Sequence, residues 1–223
     1  MEDGRRAASV AAEGFRAELD ARATAVAASA SEVLPIGVRV ATISSSSTVR
    51  EALFARGPAT APTVVCFESR PMLEGRALAS ALAAKGIDVT VAVDAAASSL
   101  VPTCDLVLLG ADSVGDRGFV NKIGSASLAV AAARAGVPVY VLADESKLLP
   151  RGFPQRVDDD RPGEEVWSPE AGVRIWNRYF ELVPLEDVTG VVTESGLLSM
   201  TALADVRSRM AFPETLRRWA EAR

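Results

Sequence analysis

The stretch LLGADSVGDRGFVNKIGSASLAVAAARAGVPVYVLADESK (residues 108–147) carries most of the information about the fold. It begins in an apolar run, passes through a polar turn and an Ala-rich segment that ends in Gly, and closes in a valine-rich run. Runs of β-branched residues favour strands, and a Gly just after an Ala-rich segment is a preferred helix terminator. The order strand, helix, strand predicts a crossover unit that joins two parallel strands.

The same alternation extends outward from this stretch. Apolar runs predict strands at VRVATI (38–43), TVVCFE (63–68), DVTVAV (88–93), DLVLLG (105–110) and VPVYVLA (137–143). Helical segments separate them at SSTVREALFARG (46–57), EGRALASALAAKG (74–86) and IGSASLAVAAARAG (123–136). This pattern predicts an α/β protein with a Rossmann-like parallel sheet and helices on both faces. In such sheets, ligands bind where loops leave the carboxyl ends of the strands.

The flanking regions complete the predicted organisation. Apolar residues at helical spacing between residues 7 and 30 predict one long helix, or two that are broken near Gly14. We therefore expect an N-terminal helical segment (1–34) followed by a Rossmann-like domain (35–223). The Pro- and charge-rich residues 150–174 are typical of a long surface excursion. FELVP (180–184) and TGVVTE (189–194) are predicted to return as strands.

Composition excludes several classes of protein. A net charge of −5 argues against direct nucleic-acid binding, which depends on Lys and Arg contacts to phosphates. No apolar stretch is long enough to predict a membrane span, and the first residues lack the apolar core of a signal peptide, so we expect a cytoplasmic protein. Cys66 and Cys104 lie in apolar runs without metal-ligand spacing, which predicts buried, reduced thiols and no metal site. We expect no cofactor, since no G-x-G-x-x-G follows the first strand to indicate a dinucleotide enzyme.

Three segments, taken in order, resemble a known superfamily. They are FESRPMLEGRALASAL (67–82), the stretch 108–147 with its GAD and NKIG elements, and FELVPLEDVTGVVTESG (180–196). The chain is similar there to the superfamily that contains the regulatory α, β and δ subunits of translation initiation factor 2B, methylthioribose-1-phosphate isomerase and ribose-1,5-bisphosphate isomerase. The resemblance covers most of residues 35–200 and implies the same Rossmann-like fold.

The resemblance also implies roles for several polar residues. Asp112 matches the family aspartate that is catalytic or contacts substrate hydroxyls; the alternative is an Asp that caps a turn. Asn121 and Lys122 precede a helix N-terminus and are expected to contact an anion there, unless the lysine is solvated beside an N-cap. Arg70 is expected to bind a phosphate or carboxylate, or else to form a structural bridge to Glu68 or Asp94.

The serine-rich loop ATISSSSTV (41–49) departs from the isomerases. Where the family's isomerases have a proposed catalytic cysteine, this chain has Ser44. An unassisted hydroxyl titrates far above neutral pH, and the sequence has no histidine to activate it. We therefore expect the loop to hold a phosphate through hydroxyl and backbone N–H groups, or to serve as an N-cap. The residues concerned are Ser44, Ser45, Ser46, Ser47 and Thr48.

These observations leave two functions open. The first is a non-catalytic protein that resembles the factor 2B subunits, with an assembly or regulatory role and a pocket for a sugar phosphate or nucleoside monophosphate. Two departures from the isomerases favour it. One is Ser44, and the other is the lack of an Arg-Gly-Ala element, which in the family's isomerases contacts the substrate phosphate. The alternative is an aldose-1-phosphate isomerase that uses Asp112 without the family cysteine. Ser44, Arg70, Asp94, Asp112, Asn121 and Lys122 are expected to converge on one cleft. The family and the apolar residues 191–204 predict a homodimer or a larger even assembly.

Overall fold

The computed structural model describes residues 2–57, 60–168, 172–212 and 214–221. Its helices are α1 (Glu2–Ser29), α2 (Ser47–Phe54), α3 (Glu74–Ala84), α4 (Ala97–Leu100), α5 (Ser125–Ala135), α6 (Met200–Arg209) and α7 (Glu214–Glu221). Its strands are β1 (Arg39–Ile43), β2 (Thr63–Phe67), β3 (Val89–Ala92), β4 (Leu106–Gly110), β5 (Ser113–Val114), β6 (Phe119–Lys122), β7 (Val139–Leu142), β8 (Phe180–Val183), β9 (Gly190–Thr193) and β10 (Gly196–Leu198).

A seven-stranded sheet forms the centre of the molecule, with the strand order β10-β9-β7-β4-β1-β2-β3. All of its pairs are parallel except β9 with β10. The five strands predicted from apolar runs are all present in it, and the chain has the expected Rossmann-like architecture. No described helix is both long and apolar enough to cross a bilayer.

Alternate residues of each inner strand enter the cores on opposite faces of the sheet. In β4, Val107 and Leu109 pack with α5, whereas Leu106 and Leu108 pack on the face that carries α2 and α3. All residues of β4 are buried, as expected for a strand that is covered on both sides. Its carboxyl end therefore stands at the middle of the sheet, where the neighbouring loops meet.

Helix α1 is continuous through Gly14, so the prediction of a single long helix is the correct one. Its last turns pack on the rest of the protein, where Val26 and Ala27 are buried in the core beside β1. Phe15 and Leu19, on the same apolar stripe, are 63% and 40% exposed. The stripe that packs the helix onto the body therefore continues past the edge of the body.

A second, three-stranded antiparallel sheet of order β5-β6-β8 projects from the carboxyl end of β4. The predicted strand at 180–184 is β8 and belongs to this small sheet. Beside it, residues 150–168 and 172–174 contain neither a strand nor an α-helix, which confirms the predicted excursion within the described residues. Gln155 fastens the excursion to the small sheet by donating to Ser113 and to the backbone oxygen of Gly118.

The two cysteines are buried and free, as expected, and one expectation about apolar residues is corrected in part. Cys104 is buried like Cys66, and it ends a short helical turn just before β4. The apolar residues 191–204 are mostly covered within the chain itself, although Leu197 remains 41% exposed. Val191, Val192 and Leu203 are buried within the chain itself, in the cores on the two faces of the sheet.

Candidate functional site

A cavity of about 290 Å³, which we name the serine cleft, opens at the carboxyl ends of β1, β4 and β6. It is lined by Ile43, Ser44, Ser45, Ser46, Ser47, Glu74, Ala111, Asp112, Asn121, Lys122, Lys147 and Phe180. A second cavity of about 570 Å³, the outer cavity, adjoins it and shares Asp112 and Phe180. Together they have the size of a site for a small polar molecule.

The serine loop leaves β1 through Ser44, whose backbone is in the left-handed region with φ of 68°. Its turn leads directly into α2, where the Ser46 side chain accepts a hydrogen bond from Val49 N and caps the helix. The N-cap interpretation is therefore right for Ser46. In the described part of the chain, the N–H groups of Ser47 and Thr48 in the first turn of α2 have no acceptor. The Thr48 side chain is buried and does not line the cleft.

Asp112 follows β4 and lies where the serine cleft and the outer cavity meet. The residue is exposed to the cavities, but the surrounding protein partly buries its carboxyl group. Partial desolvation raises the pKa of this carboxyl above its ordinary value, while the positive charges of Lys147 and Lys122 act in the opposite direction. A carboxyl in that position is able to give and take a proton closer to neutral pH than a free aspartate.

Lys122 is only 6% exposed and is already bound within the protein. Its Nζ donates to Glu74 Oε1 and lies 5.1 and 4.9 Å from the ring centroids of Tyr179 and Phe180. The Glu74 carboxylate and the two rings surround the ammonium group and compensate for its burial. Lys122 therefore forms a wall of the cleft.

Glu74 reaches this position because α3 begins very close to the end of β2. A Cβ atom on Gly75 would lie 1.9 Å from Phe67 O, so only glycine permits the approach. Glu74 lies in the FESRPMLEGR segment that was noted in the sequence, but nothing in that pattern indicated its pairing with a lysine 48 residues further along the chain.

Lys147 is the cation that sequence reasoning missed. It lines the cleft from the loop after β7, is partly exposed, and makes no ion pair within the described residues. The signal for it was present, since the DESK loop follows a predicted strand at the carboxyl edge of the sheet. Lys147 therefore offers a positive charge that a bound anion is able to use.

We predicted that the N-terminus of α5 would bind a ligand anion, but a side chain of the protein already occupies it. Glu181, on β8, accepts hydrogen bonds from the N–H groups of Gly124 and Ala126 at 2.8 and 2.9 Å. Burial raises the pKa of the Glu181 carboxyl, and these backbone bonds act against that rise. Asn121 lines the cleft and donates to Ser125 Oγ at 2.9 Å. The predicted anion at this helix start is thus a carboxylate of the protein.

Two of the six residues expected to converge do not line the cleft, namely Arg70 and Asp94. The Asp94 carboxylate accepts from the backbone N–H groups of Ser69 and Arg70 at 2.8 and 2.7 Å. The Arg70 guanidinium donates to Val166 O, and Glu68 pairs instead with Arg76. The reason is the strand order, because β2 and β3 lie on the far side of β1 from β4.

Ser44, Asp112, Asn121 and Lys122 do meet in the serine cleft, together with Ser45, Ser46 and Ser47. Within the described ranges, no three Asp, Glu or Cys side chains cluster in a way that could hold a metal ion. The cleft combines hydroxyl groups, an acid of raised pKa and a lysine that is unpaired within the described residues, and the first turn of α2 beside it carries two free N–H groups. Such a set is suited to binding a phosphorylated polyol and to moving protons on it.

Comparison with known proteins places this geometry in context. A family model described as the Initiation factor 2 subunit family matches residues 1–200. The chain is 35% identical over 216 residues to a methylthioribose-1-phosphate isomerase of Gemmatimonas aurantiaca, covering 89% of this chain and 62% of that protein. It is 34% identical over 141 residues to a ribose 1,5-bisphosphate isomerase of Methanocaldococcus jannaschii, covering 60% of this chain and 46% of that protein.

Solved structures agree in fold. The Pyrococcus horikoshii OT3 translation initiation factor eIF-2B superimposes with a TM-score of 0.74 at 29% identity, covering 85% of this chain and 68% of that one. A 5-methylthioribose 1-phosphate isomerase from the same organism gives 0.73 at 24% identity, covering 84% and 59%, which is a likeness of fold alone. The chain spans less than two thirds of the length of the first curated relatives that it matches.

Proposed function

Because the chain belongs to the Initiation factor 2 subunit family, we propose that it binds an aldose 1-phosphate in the serine cleft and isomerises it to the ketose 1-phosphate. The observation that carries the proposal is the position of Asp112. A carboxyl of raised pKa lies in the same cavity as an unpaired lysine, four serine-loop hydroxyls and a helix start. The isomerases among the curated relatives support this activity over a purely non-catalytic role.

The chemistry assigns separate tasks to these groups. Lys147 and the free N–H groups of Ser47 and Thr48 hold the phosphate. Isomerisation requires a proton on the ring oxygen as its bond to C1 breaks, transfer of a hydrogen from C2 to C1, and loss of the C2 hydroxyl proton to form the carbonyl. Asp112 donates the first proton and accepts the last, so it ends the cycle as it began.

The proposal is tested by following methylthioribose-1-phosphate and ribose-1,5-bisphosphate by proton and phosphorus NMR with purified protein. We expect the ketose product to form, and Asp112→Asn to reduce kcat by about 10² or more. Asp205→Asn is the matched control, because Asp205 is exposed on α6 and lines neither the serine cleft nor the outer cavity. No product from either sugar with the unaltered protein would refute the isomerase.

A second candidate is a non-catalytic sugar-phosphate or nucleoside-monophosphate binding protein, and Ser44 is the observation that favours it. A thiol with a pKa of about 8.5 exchanges protons near neutral pH, which a serine hydroxyl does not. This candidate predicts saturable binding by calorimetry without turnover. A gain of turnover in Ser44→Cys, with none in the unaltered protein, would assign the loss of activity to that single atom.

The assembly state belongs to the same proposal. One related solved structure, a complex from C. thermophilum, is described as tetrameric. By analogy we expect this chain to form a homodimer or a larger even assembly, which light scattering on the purified protein measures directly. A strict monomer at micromolar concentration would contradict this part of the proposal without bearing on ligand binding.

A further inference from the structure

Strand β3 is the outermost strand at one edge of the seven-stranded sheet. It pairs with β2 on its inner side, in continuous register from Val89 to Ala92. On its outer side Thr90 is exposed and Val91 is 47% exposed. The strand therefore presents an uncovered edge to solvent.

The direction of its backbone groups follows from the parallel pairing. Val64 N donates to Asp88 O and Glu68 N donates to Ala92 O. The backbone N–H and C=O groups of every second residue from Asp88 onward therefore point toward β2. The residues between them, Val89 and Val91, direct their N–H and C=O groups away from the sheet. Within the part of the chain that the structure describes, no donor or acceptor meets these four groups.

Apart from its short length of four residues, β3 has no feature that protects this edge against pairing. Exposed edge strands usually carry a lysine, a proline or a bulge that prevents another strand from adding to them. Residues 89–92 read VTVA, with none of these features. Strands rich in valine and threonine have instead a high intrinsic preference for pairing.

We propose that a second copy of this chain adds to the edge, so that β3 pairs antiparallel with the partner's β3 about a two-fold axis at Thr90. The segment Val89-Thr90-Val91 is symmetric about its centre, so this register places each Val89 opposite the partner's Val91. Each of these pairs exchanges two hydrogen bonds through the groups that are otherwise free. The two Thr90 side chains meet between them, a favourable cross-strand pair.

Charge favours the register with the two-fold axis at Thr90 over the register with the axis one residue further along, at Val91. A two-fold axis at Val91 would place Asp88 opposite the partner's Asp94, and like charges directly opposite one another are destabilising. With the axis at Thr90, Asp88 lies opposite the partner's Ala92. The result is one continuous sheet through both copies. The inference is independent of the proposed activity, since neither ligand binding nor turnover enters it.

Cross-linking of Thr90→Cys tests the register. Directly opposed residues of a non-hydrogen-bonded pair have Cα atoms about 4.5 Å apart, which lies within the range of a disulfide. The two natural cysteines are buried and leave the reaction to the new one. We expect mild oxidation of the native protein to convert most of the variant to a covalent dimer on a non-reducing gel. Ser80→Cys, on the exposed surface of α3, should cross-link only at the rate of random collision.

Sedimentation velocity with Val91→Lys provides the second test. We expect the substitution to weaken the dimer at least tenfold, because it places two ammonium groups at the shared edge. Val130→Lys is the control, since Val130 on α5 is 46% exposed, as Val91 is. A monomeric unaltered protein, or a dimer that survives Val91→Lys and does not cross-link through Thr90→Cys, would overturn the proposal.

Discussion

The two lysines of the serine cleft have different surroundings and therefore different roles. Lys122 is buried against Glu74 and two aromatic rings, whereas Lys147 is partly exposed and unpaired in the described structure. A ligand that bound Lys122 would have to compete with a carboxylate that already satisfies it. A ligand that binds Lys147 displaces only water.

Replacing each lysine should therefore affect a different measurement. We expect Lys122→Ala to lower the free energy of unfolding by about 1–3 kcal/mol, because it leaves a partly buried carboxylate without its partner. Urea denaturation followed by circular dichroism measures this effect. Lys147→Gln is the control, since Lys147 is partly exposed and makes no ion pair within the described residues. An unchanged midpoint in Lys122→Ala would show that the pair contributes little.

Lys147→Gln should leave that midpoint near its original value and weaken binding of a sugar phosphate. Loss of one charged hydrogen bond corresponds to about 1.5–3 kcal/mol, or roughly a tenfold to hundredfold rise in Kd. Calorimetric titration with ribose-1,5-bisphosphate measures the change. Equal affinity in the variant and the unaltered protein would remove Lys147 from the proposed phosphate site.

At neutral pH, where Asp112 is proposed to transfer protons, its ionisation should lower the free energy of unfolding. Because its folded-state pKa is raised, the folded protein holds this proton more tightly than the unfolded chain does. The resulting stabilisation is complete below the unfolded pKa of about 3.9 and is lost as the pH rises through the folded pKa. We expect Asp112→Asn to be more stable than the unaltered protein at pH 7 and the difference to vanish in acid. A less stable variant at pH 7 would contradict the raised pKa.

Among the secondary structure elements, the inner strands and the helices α1, α2, α3 and α5 could be predicted from periodicity. The helices α4, α6 and α7 were not predicted, and contacts between distant elements could not be. The alternation of apolar runs and Ala-rich segments located every inner strand. Nothing local to FELVP indicated that β8 would join a small separate sheet, or that Glu181 would reach the start of α5. Asp94 was misplaced for the same reason, since the distance of β3 from the cleft depends on strand order.

The cap that Glu181 provides is testable on its own. We expect Glu181→Ala to lower the free energy of unfolding by about 1–2 kcal/mol, because it frees two N–H groups at a helix start and removes a favourable charge there. Glu186→Ala, at an exposed position in the next loop, should have little effect. Thermal unfolding of both variants measures the difference. Equal stabilities would show that water replaces the carboxylate without loss.

On the scale of the whole molecule, the two thiols report on global unfolding. Burial raises the pKa of Cys66 to about 12 and raises that of Cys104 in the same direction. We expect both to react with a thiol reagent at pH 8 only at the rate of global opening, and to react at once in denaturant. Fast labelling of either cysteine in the native protein would show that part of the core opens independently.

The serine cleft draws its lining from residues far apart in the sequence, from Ile43 at the end of β1 to Phe180 at the start of β8. The order of synthesis therefore matters, because domains form from the N-terminus as the chain leaves the ribosome. The serine loop and Asp112 emerge early, but Lys122 lacks its aromatic neighbours, and α5 its cap, until residues 179–181 have been made. A nascent chain that stalls before this point contains the acid and the serines but lacks the residues that close the cleft around them.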